Sequence, residues 1–227
     1  MKAIILAAGL GSRLRPLTID TPKCLMPINN VPLIDLWIDK LQEINVKEVL
    51  INTHYHSEKV KKYLEKNKKN ISINLTYEPK LLGTAGTLIQ NIDFFLNEDL
   101  IFIHADNFMK ESLSALYNAH VKRPKECLMT MLTFDTDQPE TCGIVKLDNR
   151  GVVTSFTEKP SVFIGNLANG ATYIISKEML EKIRDMDVSD FSKEIIPKFI
   201  GNIYVYHTVD SYIDIGNLKS YTKAQSF

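Results

Sequence analysis

Gly9 and Gly11 are followed within a few residues by Arg13, Arg15 and Lys23, directly after the apolar run from Ala3 to Ala8. Glycines at that point let the main chain turn tightly and bring its N–H groups close to a ligand. Such donors, together with Arg13, suit phosphate oxygens. Several separated cations are useful where negative charge moves during reaction, as in phosphoryl or nucleotidyl transfer. The expected chemistry is therefore at a polyphosphate, with a plain turn as the alternative reading. A dinucleotide-binding loop needs G-x-G-x-x-G opening into a helix. Here position 14 is leucine, and Pro16 and Pro22 disfavour an uninterrupted helix. The phosphate loop of ATPases needs a Gly-Lys pair that this loop lacks.

Acids stand far downstream of the loop. Asp106 follows the apolar stretch LIFIH, at the carboxyl end of an expected buried strand, the edge where open sheets bind ligands. It suits either a helix cap or magnesium, which takes one or two protein carboxylates and completes its shell with phosphate oxygens and water. Asp214 lies in YIDIG; a buried carboxylate needs a partner, and a metal shared with Asp106 or a cap on a helix near Asn217 would supply one. Glu158 and Lys159, before Pro160, could meet sugar hydroxyls and a phosphate, or form a solvated ion pair. The five histidines have no H-E-x-x-H spacing, and neither a G-x-S-x-G turn nor a cysteine–histidine pair is present. His104 adjoins the expected site, with a structural role and a general base both open.

The elements that must carry these residues alternate. Strands are expected at Lys2 to Ala7, Val46 to Asn52, Ile71 to Tyr77 and Leu100 to His104. Helices are expected from Pro32 through Ile44, after a Ser57 cap, over Gly83 to Ile92 and from Ser112 to His120. That rhythm implies a mainly parallel sheet covered on both faces. The second half changes to strands at Leu128 to Phe134, Gly143 to Leu147, Val152 to Phe156 and Ala171 to Ile175, with a hairpin turn at Asp148 to Gly151. Helices return at Glu178 to Arg184 and Ser189 to Phe199, then a strand at Ile203 to His207. A single α/β domain is expected, a mixed central sheet flanked by helices, with halves at about 1–125 and 126–227.

Composition narrows the partners. Lys plus Arg and Asp plus Glu both number 27 in 227 residues, which argues against nucleic acid as the main partner. The lysines at 61–69 read as one solvated helix face. No apolar run approaches the roughly 20 residues that cross a bilayer, and the start does not read as a signal peptide. Cys24, Cys127 and Cys142 show neither a disulfide framework nor metal-ligand spacing, so free thiols in a reducing cytoplasm are expected.

In their order, AAGLGSRLRPLT, TPKCLMPI, EPKLLGTAGTL, HADN, CGIVKLD, FTEKP and YIDIG resemble the sugar-1-phosphate nucleotidyltransferases, over residues 2 to 222. The resemblance implies a Rossmann-like, glycosyltransferase-A-type nucleotidyltransferase fold and transfer of a nucleoside monophosphate from a nucleoside triphosphate to a sugar 1-phosphate, with pyrophosphate released. It places Leu6, Ala8, Gly9, Gly11 and Ser12 under the nucleotide, with Arg13 on the outer phosphates and Lys23 at the α-phosphate as the catalytic cations. Leu82, Gly83 and Thr84 would face the base, Gly83 allowing backbone approach. Asp106 and Asp214 would bind Mg2+. Asn107, Gly143, Glu158, Asn169 and Ala171 would surround the sugar, with Lys159 on its phosphate. Two departures stand out: Ala8-Gly9 replaces a common Gly-Gly, and Asn169-Gly170-Ala171 replaces Asn-Ala-Gly, which puts a methyl where the glycine would give the sugar room. LGTAG looks like the mannose-1-phosphate guanylyltransferase branch, so GTP and a mannose-like sugar phosphate are expected. UTP, CTP or dTTP with glucose, amino-sugar, N-acetylmuramic acid or heptose 1-phosphate is the alternative, and a non-catalytic regulatory subunit a further one. No hexapeptide-repeat domain is expected after YIDIG, and the oligomeric state stays open between monomer and homodimer.

Overall fold

A computed structural model describes residues 1–226. In chain order its elements are β1 (Lys2–Leu6), β2 (Pro27–Ile28), β3 (Val31–Pro32), α1 (Leu33–Glu43), β4 (Glu48–Thr53), α2 (Ser57–Lys66) and β5 (Ser72–Tyr77). Then come α3 (Gly83–Gln90), β6 (Leu100–His104), β7 (Asn107–Met109), α4 (Leu113–Lys122), β8 (Met129–Asp135), β9 (Gly143–Leu147) and β10 (Val153–Glu158). The last are β11 (Leu167–Ile175), α5 (Lys177–Ile183), β12 (Ile203–His207), β13 (Tyr212–Asp214) and α6 (Leu218–Ala224). The residues group into two compact units that interleave along the chain.

The first unit comprises residues 1–81, 103–113 and the chain from Asp210 on. Its β1, β4 and β5 are parallel, with Ala3 opposite Val49 and Glu48 opposite Ser72. Ala3, Ile4 and Ile5 of β1 and Val49, Leu50 and Ile51 of β4 are all buried, the continuous apolar run of strands covered on both faces. Helix α1 buries Leu33, Ile34, Trp37, Ile38 and Leu41, an apolar stripe at helical spacing. A second cluster forms from Leu14, Met26, Ile28, Leu33, Phe108, Ile213, Ile215 and Ala224. It pins the glycine loop, through Leu14, against β7 and β13, which pair antiparallel with Asp214 opposite Asn107.

The second unit holds residues 82–102 and 114–209. Strands β9 and β10 form the expected hairpin, where Gly151 N–H donates to the Asp148 carbonyl at 3.2 Å. Strand β8 pairs antiparallel with β11 and parallel with β12, so the strand pairs of the molecule are mixed in sense. Phe102, Tyr173 and Phe191 are fully buried, and Phe191 lies 4.9 Å from each of the other two rings.

Three expectations are corrected. Ser57 does not cap α2; His56 occupies the cap position in a left-handed conformation, and no side chain bonds there. The helix expected from Ser189 is one wide turn at Phe191–Ile195 and a tight one at Ile196–Phe199. Asp190 starts it by accepting from Lys193 N–H at 3.0 Å, and Pro197 has no N–H with which to continue an α-helical ladder. Strand β11 begins at Leu167 rather than Ala171 because its ladder resumes across a register shift between Asn169 and Tyr173.

Trp37 Nε1 donates to the Asn107 carbonyl at 2.8 Å, tying α1 to the residue beside Asp106. Trp37→Phe leaves that carbonyl without its indole donor, so the free energy of unfolding should fall by about 1–3 kcal/mol. Urea denaturation followed by far-ultraviolet circular dichroism checks this, since Trp37 is the sole tryptophan. An unchanged midpoint would show that the bond contributes nothing.

Candidate functional site

Lys23 opens a short helical turn, Lys23–Leu25, after Pro22, and is only 8% exposed. Its Nζ donates to Asp106 Oδ2 at 2.6 Å and lies 3.7 Å from Asp214 Oδ1. Asp106 sits in the turn between β6 and β7, and Asp214 closes β13. One buried cation therefore stands between two carboxylates. Burial pushes the Asp106 carboxyl up, but the charge of Lys23, then that of His104 and the Lys23 hydrogen bond, hold it below the usual aspartate range. Asp214 goes the other way: although its side chain is 55% exposed, and so not the buried acid that YIDIG suggested, partial desolvation and then repulsion from Asp106 raise it, against Lys23, Arg13 and His104. Asp214 is not a helix cap; Asn217 caps α6, accepting from Ser220 N–H at 2.9 Å.

The glycine loop leads into this group. Gly11 is left-handed (φ 63) and starts the tight turn Ser12–Leu14, in which Leu14 is buried while Ser12 and Arg13 are exposed. Gly216 lies against Arg13 and Asp214: a Cβ there would sit 2.9 Å from Arg13 Nη2 and 3.0 Å from Asp214 Oδ2. Leu6 ends β1, Ala8 is buried, and Gly9 is exposed, with no atom of the described residues beyond its chain neighbours within 4 Å of where its Cβ would be. Asn107 is buried in β7. The paired carboxylates are hard oxygen donors facing one another's charge, a set that fits Mg2+ completed by phosphate oxygens and water. Among the described residues no group of three or more His, Cys, Asp or Glu forms a fuller cage.

In the second unit Leu82 precedes α3 and Gly83 opens it with φ 80. The close backbone approach at Gly83 is made by the chain itself: a Cβ there would collide with the Ser189 carbonyl oxygen. That oxygen accepts from Ala85 N–H at 2.9 Å, and Thr84 Oγ1 accepts from Phe191 N–H at 2.8 Å. The Ser189–Phe191 segment that braces the loop was missed by sequence reasoning, because its signal is a main-chain carbonyl.

Gly143 pairs with Glu158 across the β9–β10 ladder. A side chain at 143 would collide first with the Phe156 ring and then, at 2.8 Å, with Glu158 Oε2, so glycine leaves both side chains their place. Burial raises the pKa of half-buried Glu158, as does the more distant Asp190, against Lys159 and Lys193. Lys159 is left-handed (φ 48) just after β10. Asn169 uses Oδ1 to accept from Ala171 N–H at 2.9 Å and Nδ2 to donate to the Tyr173 hydroxyl at 2.7 Å. Ala171 has φ 51, so the position where the resemblance expects glycine has a backbone reason for it, independent of room for a sugar. Holding alanine there costs roughly 1–2 kcal/mol.

Residues 2–227 match the family described as Nucleotidyl transferase. A probable mannose-1-phosphate guanylyltransferase 2 of Oryza sativa subsp. japonica is 30% identical over 97% of this chain and 63% of its own length. Mannose-1-phosphate guanylyltransferase 1 of Arabidopsis thaliana is 31% identical over the same shares. The chain thus spans less than two thirds of these curated relatives. Among solved structures, HddC from Yersinia pseudotuberculosis complexed with GMP-PN superposes with a TM-score of 0.80 at 24% identity, covering 99% of this chain and 98% of that one. A Bacillus anthracis chain assigned provisionally as a glucose-1-phosphate thymidylyltransferase reaches 0.87, also at 24%, covering 100% and 94%. At such identity the likeness shows the fold: the nucleotidyltransferase fold expected from the sequence.

A raised folded pKa at Asp214 means that the unfolded chain ionises first, so the wild type loses stability as pH rises through the folded value. In chelator, Asp214→Asn should therefore be more stable than the wild type at neutral pH, with the gap closing toward about pH 3. Denaturant titrations across pH check the sign; a gap that widened in acid would contradict it.

Proposed function

The chain belongs to the Nucleotidyl transferase family, and from that premise we propose that it transfers a nucleoside monophosphate from a nucleoside triphosphate to a sugar 1-phosphate. The observation that carries the proposal is buried Lys23 held between Asp106 and Asp214 beside an arginine-bearing glycine loop. GTP and a mannose-like sugar phosphate are the preferred pair. Support comes from the relatives named mannose-1-phosphate guanylyltransferase and from the solved neighbour complexed with GMP-PN. The product would be a nucleoside-diphosphate sugar of the kind consumed in polysaccharide synthesis.

The chemical problem is repulsion between two anions. An oxygen of the sugar phosphate forms a bond to the α-phosphorus as the bond to the departing pyrophosphate breaks. That oxygen is already anionic, so no strong general base is required, and His104 has no proton to take. Arg13 would hold the outer phosphates, Lys23 would offset charge at the α-phosphate, and N–H groups at Gly9 and Gly11 would donate to the nucleotide's phosphate oxygens. Asp106 and Asp214 would hold Mg2+, whose chemistry when bound is to neutralise charge on the reacting phosphate and on the leaving group. Glu158 would accept from sugar hydroxyls and Lys159 would pair with the sugar's phosphate. Asn169, with hydrogen-bonding capacity left after its internal bonds, and Ala171 would line the sugar.

We place the activity in the cytoplasm; Cys24, Cys127 and Cys142 are free thiols, as a reducing compartment keeps them. No helix among the described residues is long and apolar enough to cross a membrane. A monomer or a homodimer would serve.

Pyrophosphate release with magnesium, crossing GTP, UTP, CTP, dTTP and ATP against mannose, glucose, N-acetylglucosamine, N-acetylmuramic acid and heptose 1-phosphates, should single out one pair. No release from folded protein would favour a binding-only regulatory subunit. With the working pair, Asp106→Asn should cut turnover about a hundredfold or more. Lys159→Ala should chiefly raise KM for the sugar phosphate. Near-normal magnesium-dependent turnover in both Asp106→Asn and Asp214→Asn would remove the metal assignment.

A further inference from the structure

The glycine loop leaves β1 at Ala7, which is buried and lies just past the strand's last residue. A buried donor must find an acceptor, and Ala7 N–H finds Asn52 Oδ1 at 2.7 Å. Asn52 lies on β4, in register with Leu6, and is itself buried. Its other amide atom, Nδ2, donates to Glu78 Oε1 at 2.8 Å. Glu78 follows β5 and is only 3% exposed. His54 Nδ1 meets the carbonyl of Glu78 at 2.7 Å, and Glu78 N–H donates to the Thr53 carbonyl at 2.9 Å. The carboxylate is thus fixed by its own main chain, the carboxylate orients the asparagine amide, and the amide fixes the root of the loop. None of these side chains has a part in the chemistry set out above.

We infer that Asn52 and Glu78 are positioning residues for nucleotide binding: the pair sets the exit angle of the loop that carries Gly9, Gly11 and Arg13. The functional half of this inference rests on the proposed activity; the structural half does not. An asparagine is needed at position 52 because the site asks for an acceptor toward Ala7 and a donor toward Glu78 at once, which leucine or aspartate cannot both supply. Asn52→Leu removes both. Asn52→Asp keeps the acceptor but sets a second carboxyl against Glu78 in a buried place. Glu78→Gln puts an amide at position 78, which can face Asn52 through its oxygen. Joining Asn52→Asp to Glu78→Gln reverses the donor and the acceptor between the two side chains. The chain of bonds is then restored, because the new amide donates where the carboxylate had accepted, and the new carboxylate accepts from it and from Ala7 N–H.

The test compares Asn52→Asp, Glu78→Gln and the double variant with the wild type by two readouts. Amide hydrogen exchange over residues 7–15 should be at least about tenfold faster in Asn52→Asp than in the wild type and return to wild-type protection in the double variant. Steady-state kinetics with the working pair should show KM for the nucleoside triphosphate raised about tenfold in Asn52→Asp, with KM for the sugar phosphate and kcat little changed, and recovery in the double variant. Urea denaturation confirms that each variant is folded at the assay temperature; Glu78→Gln and the double variant serve if Asn52→Asp is not. Loop protection that the double variant fails to restore overturns the inference. Restored protection with a nucleotide KM that never moved overturns the functional half. Restored protection in a protein whose wild type turns over no pair keeps the structural half and instead removes the proposed activity.

Discussion

The ammonium of Lys23, withdrawn from water between two carboxylates, is the constraint that the rest of the first unit serves. Such a charge is tolerable only when opposite charge is held close, and the fold supplies it from two distant stretches of chain. Asp106 arrives on the turn after a strand of buried residues, and Asp214 on a short strand that exists because it pairs with β7. The lysine is delivered by a turn whose neighbours Met26 and Ile28 are sealed into the same apolar cluster as Ile213 and Ile215. Packing and electrostatics are thus one design here: the cluster that buries Leu14 also fixes the distance between the cation and its acids.

The unequal state of the two carboxylates follows from that arrangement. Asp106 has the direct hydrogen bond and is held ionised, whereas Asp214 receives the remainder of the lysine's field and the repulsion of its neighbour. A pair left in this condition is short of positive charge. Arg13, at the mouth of the loop and close to Gly216, contributes part of it.

Much of this was legible in the sequence, for identifiable reasons. Strands β6, β9 and β12 fall at the expected bounds because each is a short run of apolar or β-branched residues between polar breaks. The glycine loop, its cations and both aspartates could be singled out by residue type and spacing. What stayed hidden depends on partners remote in the chain. The cap of α2 is a left-handed histidine rather than the serine that propensity favours, and the turn at Phe191 takes its form from Asp190 and Pro197 together. The brace on Gly83 is a carbonyl, and nothing in the sequence links Asn52 to Glu78, the first residue of EPKLLGTAGTL, as partners at the root of the loop. The left-handed Ala171 shows the same limit: a swapped glycine is visible in sequence, the dihedral angle it answers is not.

The pairing of β7 with β13 has a consequence for how the protein is made. Emerging from the ribosome, β1, β4 and β5 can align as soon as residue 77 is free, because all three strands and their pairing partners lie before it. Neither the cluster around Leu14 nor the second carboxylate can form until residues 212–215 have been synthesised. A nascent chain therefore carries its glycine loop and its buried lysine position for most of translation without the strand that seals them. Loss of the last few elements would spare most of the strands and empty the site of half its negative charge.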